Sequence, residues 1–113
     1  MSKFDEKMDI YVGEFKNTIK MKIDEDLLKK VTKGLGPSIY KDDASKVSCS
    51  DKSELDRVKA NFLLKKLGLE DSPKLDAAIK EVCADFGSSN RKKFRAMFYY
   101  MLVKKLKQES FYD

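Results

Sequence analysis

The sequence predicts an all-α protein, a single compact bundle of about five helices around a central C-terminal helix, with residues 1–113 forming one domain. Three observations predict it. Apolar residues recur at spacings of three and four through most of the chain, whereas no alternating run exceeds a few residues. Glycine and proline are scarce, five and two in 113 residues, and fall mostly between the periodic segments, which leaves little room for long loops. The stretch Phe94 to Val103 carries a single charge, Arg95, so its apolar side chains spread round the whole helix and require cover on most sides.

The first helix can be capped by Ser2, with Asp5 three residues on, and Phe4, Met8, Tyr11, Val12, Phe15 and Ile19 form one apolar stripe. This stripe is expected to pack against its own chain. Gly13 within it costs on the order of 1 kcal/mol relative to alanine, and marks a close approach, a bend or simply a tolerated residue. A second helix opens at Asp24, with Ile23 able to staple onto Leu28 and with Glu25 and Asp26 suiting the positive end of the helix dipole. Leu27, Leu28 and Val31 make its buried edge; Gly34 is expected to supply the left-handed turn, and Pro37 prevents the helix from resuming. Gly34-Leu35-Gly36 is not a phosphate loop, because no Gly-Lys-Ser/Thr follows and Pro37 removes a backbone donor.

Residues 36–50 form the one substantial irregular stretch, with room for a helical turn at Pro37 to Lys41, pinned to the core by Ile39, Tyr40 and Val47. Asp42, Asp43 and Ser45 lack the turn glycine and closing glutamate of a calcium loop. Ser50 or Asp51 caps a third helix whose core face is Leu55, Val58, Phe62 and Leu63; Gly68 ends it, and Leu69 can fold back onto Leu64. Ser72 and Pro73 give the clearest start signal, followed by Leu75, Ala78, Ile79, Val82, Cys83 and Phe86 at helical spacing, with Gly87 as terminator. The turns joining the last three helices are short, so these helices should be neighbours.

Three segments resemble a family of short bacterial proteins defined only as a domain of unknown function. They are Thr32-Lys33-Gly34-Leu35-Gly36-Pro37-Ser38-Ile39-Tyr40, Asn61-Phe62-Leu63-Leu64-Lys65-Lys66-Leu67-Gly68-Leu69 and Ser89-Asn90-Arg91-Lys92-Lys93-Phe94-Arg95-Ala96-Met97-Phe98-Tyr99-Tyr100. The resemblance extends over nearly the whole chain. It implies a bacterial cytosolic helical domain and brings no activity or site residues with it.

Composition narrows the function classes. At 42% apolar and 38% charged residues, the chain is that of a soluble helical domain. No apolar run reaches the roughly 18 residues of a membrane span, and Met-Ser-Lys-Phe-Asp-Glu-Lys lacks the apolar core of a signal peptide, so a cytoplasmic protein without membrane contact is expected. There is no histidine, which removes the commonest general base and transition-metal ligand. A non-enzymatic domain without cofactor or metal is therefore expected. Cys49 and Cys83 stand alone and far apart, so neither a zinc site nor a disulfide framework is expected, and both should be reduced thiols. Cys83 belongs to the core; Cys49 has no partner base in sight and is most simply an inert thiol.

The net charge of +5 is unevenly spread. Between Phe86 and Gln108 lie seven basic residues and no acid, which leaves 17 basic against 19 acidic residues elsewhere. Lys104, Lys105 and Lys107 sit at the C-terminal end of the last helix, where cations complement its dipole. Arg91, Lys92, Lys93 and Arg95 sit at the opposite end, where cations are unfavourable, and therefore require either neighbouring carboxylates or an outside anion. With Ser88, Ser89 and Asn90 they compose a candidate anion site, two of the chain's three arginines sharing one helix face at i and i+4. Arg95 also points the same way as Leu102, which suits a pair with an acid at the core edge. A helix with no exposed face cannot serve as a recognition helix, so nucleic acid would be held only by its backbone. Tyr99 and Tyr100 are read as core and core-edge residues with hydroxyls reaching the surface, rather than base-stacking platforms. Two functions follow: a binding domain that accepts phosphate or a nucleic-acid backbone, or a structural or self-associating protein-interaction domain, monomer or homodimer, whose cations are answered by acids.

Overall fold

Helix ends in this protein fall where the chain can satisfy its own backbone. The computed structural model describes residues 3–41, 46–87 and 93–112. Helix α1 (Lys3–Glu14) runs on as a π-helical turn (Phe15–Ile19) and closes at Lys20, whose left-handed backbone (φ 57°) turns its N–H onto the Phe15 carbonyl. Tyr11 and Phe15 are fully buried, so the stripe packs on its own chain; Ser2 lies outside the described residues. A side chain at Gly13 would meet nothing within 4 Å, so this glycine is simply tolerated.

Helix α2 (Glu25–Leu35) starts on Asp24, whose Oδ1 accepts from the Leu27 N–H at 3.2 Å. Its buried edge is Leu27, Leu28, Val31 and Thr32, the last donating its hydroxyl to the Leu28 carbonyl at 2.7 Å. The helix does not stop at Gly34. It continues to Leu35, and the left-handed residue is Gly36 (φ 65°). Gly34 lies inside the helix, its carbonyl accepting from Lys66 Nζ at 3.2 Å; a Cβ there would meet that ammonium at 2.6 Å, which a small shift of the flexible lysine relieves. A 3-10 turn (Gly36–Tyr40) follows, with Ile39 buried and Tyr40 41% exposed, so only the first of these two pins the segment. Asp42, Asp43 and Ser45 lie outside the described residues.

Helix α3 (Lys52–Val58) begins at Asp51, whose Oδ1 accepts from the Ser53 and Glu54 N–H groups, and continues as a π-helical segment (Lys59–Lys66). Gly68 (φ 70°) ends it, and the Leu69 N–H reaches back to the Leu63 carbonyl at 3.0 Å, one residue further than the long bond of a Schellman closure, in keeping with the wider π-helical turns that precede it. Helix α4 (Pro73–Phe86) starts on its proline and stops at Gly87 (φ 89°), whose N–H meets the Cys83 and Ala84 carbonyls. The Ser72 hydroxyl makes no cap bond; its carbonyl accepts from Leu75 instead.

Helix α5 (Arg95–Lys105) is the centre of the bundle, with every residue from Ala96 to Val103 buried. Helix α2 covers it with the aliphatic Leu27, Leu28 and Val31, and three other segments each present it with an aromatic ring. Phe15 meets Tyr100 edge-on with ring centroids 5.4 Å apart, Phe62 stacks on Tyr99 at 4.0 Å, and Phe86 lies parallel to Phe98 at 6.2 Å. A last 3-10 turn (Glu109–Tyr112) packs against α2. The Cα radius of gyration, 13.1 Å, is that of a compact chain of this length, about 13 Å. Among the described residues there is no strand, only an isolated antiparallel bridge between Lys46 and Phe94, and no helix is long and apolar enough to cross a membrane.

The expectation of reduced thiols is corrected. Cys49 and Cys83 form a disulfide with their Cα atoms 6.0 Å apart, a normal separation for such a bond. Their separation of 34 positions conceals that α4 runs beside the segment that leads into α3. Sequence spacing alone carries no such information.

Two buried hydroxyls, of Tyr11 and Tyr112, have no hydrogen-bond partner among the described residues, whereas that of Tyr100 accepts from the Asp24 N–H at 2.8 Å. Burial, and secondarily Tyr40, pushes the Tyr11 phenol up to about 12. In the unfolded chain it ionises near 10, so the folded form holds the proton more tightly. That share of stability is complete below pH 10 and is lost as pH rises towards 12, by about 2–3 kcal/mol. Tyr11→Phe is therefore expected to leave stability at pH 7 unchanged or raised by up to about 1 kcal/mol, since it deletes an unsatisfied buried group. The same variant should lose less stability than the parent between pH 10 and 12 in urea titrations. A clear loss at pH 7 would show that the hydroxyl is satisfied.

Candidate functional site

Of the residues nominated at the start of the last helix, Ser88, Ser89, Asn90, Arg91 and Lys92 lie outside the described residues; Lys93 and Arg95 are described. Both turn towards the protein. Lys93 is 9% exposed, and its carbonyl accepts from the Val47 N–H at 2.8 Å. Arg95, at the first position of α5, places Nη2 2.5 Å from Glu54 Oε1 and 3.5 Å from the Lys46 carbonyl, while Nη1 donates to the Tyr99 hydroxyl at 3.0 Å. Its guanidinium also lies over the Tyr99 ring, 5.7 Å from the centroid.

The pair works because two helix starts are brought together. Glu54 is in the first turn of α3, where the dipole favours an anion, and Arg95 is in the first turn of α5, where a cation is disfavoured. Placing one against the other offsets the second and keeps the first. Burial opposes the charge on Arg95, but Tyr99 and Glu54 outweigh it and hold the guanidinium above its ordinary pKa. Glu54 accepts from Arg57 as well, at 3.1 Å, so it answers two of the three arginines.

The segment before α3 is latched to the same place. Lys46 bridges Phe94, its Nζ sits 5.7 Å from the Phe94 ring centroid, and the other side of that ring's environment is Tyr11, 5.4 Å away. Val47 is buried between these contacts. The start of α5 is thus an assembly point for α1, the 46–51 segment, α3 and α5.

The family model described as protein of unknown function, DUF2853, matches residues 10–110. The chain belongs to this family. The match runs from within α1 to the final 3-10 turn, so it takes in the whole assembly around α5. No curated protein matches the chain.

At the other end of α5 this DUF2853 member uses its lysines in surface pairs. Lys104 meets Glu109 at 3.4 Å, and Lys105 meets Asp85 at 3.0 Å and Glu81 at 3.8 Å on α4. Pairs this open are worth little individually. Tyr99 and Tyr100 are core residues, as their apolar setting suggests, and their hydroxyls sit in part-buried hydrogen bonds: one accepts from Arg95 and the other from the Asp24 N–H. A cleft of about 300 Å³ lies between the end of α1 and the start of α2, floored by Val12, Phe15, Met21 and Ile23 and edged by Lys16, Lys22 and Glu25. Among the described residues, no group of acidic or cysteine side chains is arranged to hold a metal.

Sequence reasoning anticipated an acid for Arg95 but not its identity. Asp51 and Glu54 together announce a helix start, and nothing local announces that this start faces α5, 41 residues further on. Val47 is buried, as expected of a residue pinning the irregular stretch to the core, whereas nothing local singled out Lys46.

Proposed function

We propose that the protein is a non-enzymatic cytoplasmic domain that works by contact with another protein or a second copy of itself, the basic start of α5 serving as an internal clamp. The observation that carries this reading is the closure of Arg95. A guanidinium already engaged by Glu54, Tyr99 and the Lys46 carbonyl is a poor phosphate ligand, because an arriving phosphate must first displace a carboxylate from a mostly desolvated pair. The cleft beside α1 supports the same reading: its apolar lining suits an apolar side chain, with Lys16, Lys22 and Glu25 at hand for polar groups beside it.

The test is titration with DNA, RNA and inorganic phosphate at low salt, comparing Arg91→Ala/Arg95→Ala with Lys104→Ala/Lys107→Ala after circular dichroism has shown both to be folded. The expected result is no saturable binding, or weak attraction reduced equally in the two variants. Salt-dependent binding whose log–log slope is flattened by about 1–2 in the arginine variant alone would establish the anion-binding function instead.

A further inference from the structure

The segment from Lys46 to Asp51 is tied to two different helices by two different kinds of bond. Its tie to α4 is the Cys49–Cys83 disulfide. Its ties to α5 are non-covalent: the Val47 N–H on the Lys93 carbonyl, the Lys46 carbonyl on Arg95, and the Lys46 ammonium over Phe94. Both cysteines are partly exposed at the edge of the core, within reach of a small thiol.

The core does not pass through the bridge. The ring contacts that assemble the bundle, Phe15 with Tyr100, Phe62 with Tyr99 and Phe86 with Phe98, involve neither cysteine, and 113 residues are enough to bury a core without cross-links. Opening the bond therefore removes one tie from one segment. We propose that Cys49–Cys83 is a reversible thiol–disulfide switch: closed, it pins residues 46–51 to α4; open, it leaves them only the non-covalent latch to α5, which then opens more often.

The chemistry requires a monothiol of the glutathione class. Its thiolate attacks one sulfur of the bridge, the S–S bond breaks, a mixed disulfide forms, and the other cysteine leaves as a thiolate and takes up a proton. A second monothiol then attacks the mixed disulfide, releasing the oxidised monothiol and the second cysteine. Two electrons pass to the protein, and two monothiols become one disulfide. Closing is the reverse reaction with the oxidised monothiol. In a reducing compartment a protein disulfide is characteristically transient and redox-sensing, not a permanent staple.

The experiment equilibrates the full-length protein in glutathione buffers from fully oxidised to fully reduced, counts thiols by alkylation and mass spectrometry, and follows hydrogen exchange. The expected result is that two thiols appear together as the buffer becomes reducing. On opening, amides of residues 46–51 should exchange about tenfold faster or more, while those of residues 96–103 keep their protection. A Cys49→Ala/Cys83→Ala variant should exchange like the reduced protein in every buffer. The proposal is overturned if oxidised glutathione leaves both thiols intact, if no glutathione ratio opens the bridge, if exchange at 46–51 is equal in the two states, or if opening also abolishes protection of α5.

Discussion

Replacing Phe98 with alanine is expected to destabilise the protein by about 3–5 kcal/mol, the range for removing a large aromatic side chain from a packed core. Phe98 is fully buried on the one helix that is covered on all sides, with Phe86 of α4 parallel to it at a centroid distance of 6.2 Å. Its neighbours Met97, Tyr99 and Met101 are buried too, so a shift of α5 to close the space would open space elsewhere. Urea denaturation gives the value, and Phe111→Ala is the comparison. Phe111 is 46% exposed, and its recorded ring contact is with the adjacent Tyr112, so its truncation should cost well under about 1 kcal/mol. A similar small loss at Phe98 would remove α5 from the centre of the fold.

That central position was legible because it depends on local composition. A ten-residue stretch with one charge has to be surrounded, whatever the topology. Asp24, Asp51, Pro73, Gly68 and Gly87 were legible for the same reason, since caps and left-handed turns act within a few residues of themselves. Gly34 was misread because two glycines stand within three residues and the turn is made by the second, Gly36, after one more helical position. The cysteine pair and the partner of Arg95 fall in a different class. Each joins residues more than 30 apart in the chain, and a spacing pattern holds no record of which helix faces which.

Breaking the Arg95–Glu54 pair from its acidic side is the second large effect. Glu54→Gln keeps the shape of the side chain but leaves a guanidinium in the first turn of α5 without its carboxylate, and both side chains are only about 15% exposed. The expected cost is about 2–4 kcal/mol. Arg95→Met should cost less, because Glu54 retains Arg57 and the favourable end of the α3 dipole, while methionine leaves no charge at the start of α5. In Glu54→Gln/Arg95→Met the uncompensated charge is gone, so the double change should be less destabilising than the sum of the single changes, with a coupling of about 1.5–3 kcal/mol. The coupling should also survive 1 M salt, roughly the condition that screens open pairs such as Lys104–Glu109. Additive single changes, or a coupling that disappears in salt, would mean that the pair is solvated and that Arg95 is available to an outside anion, which would return the start of α5 to the phosphate-binding reading.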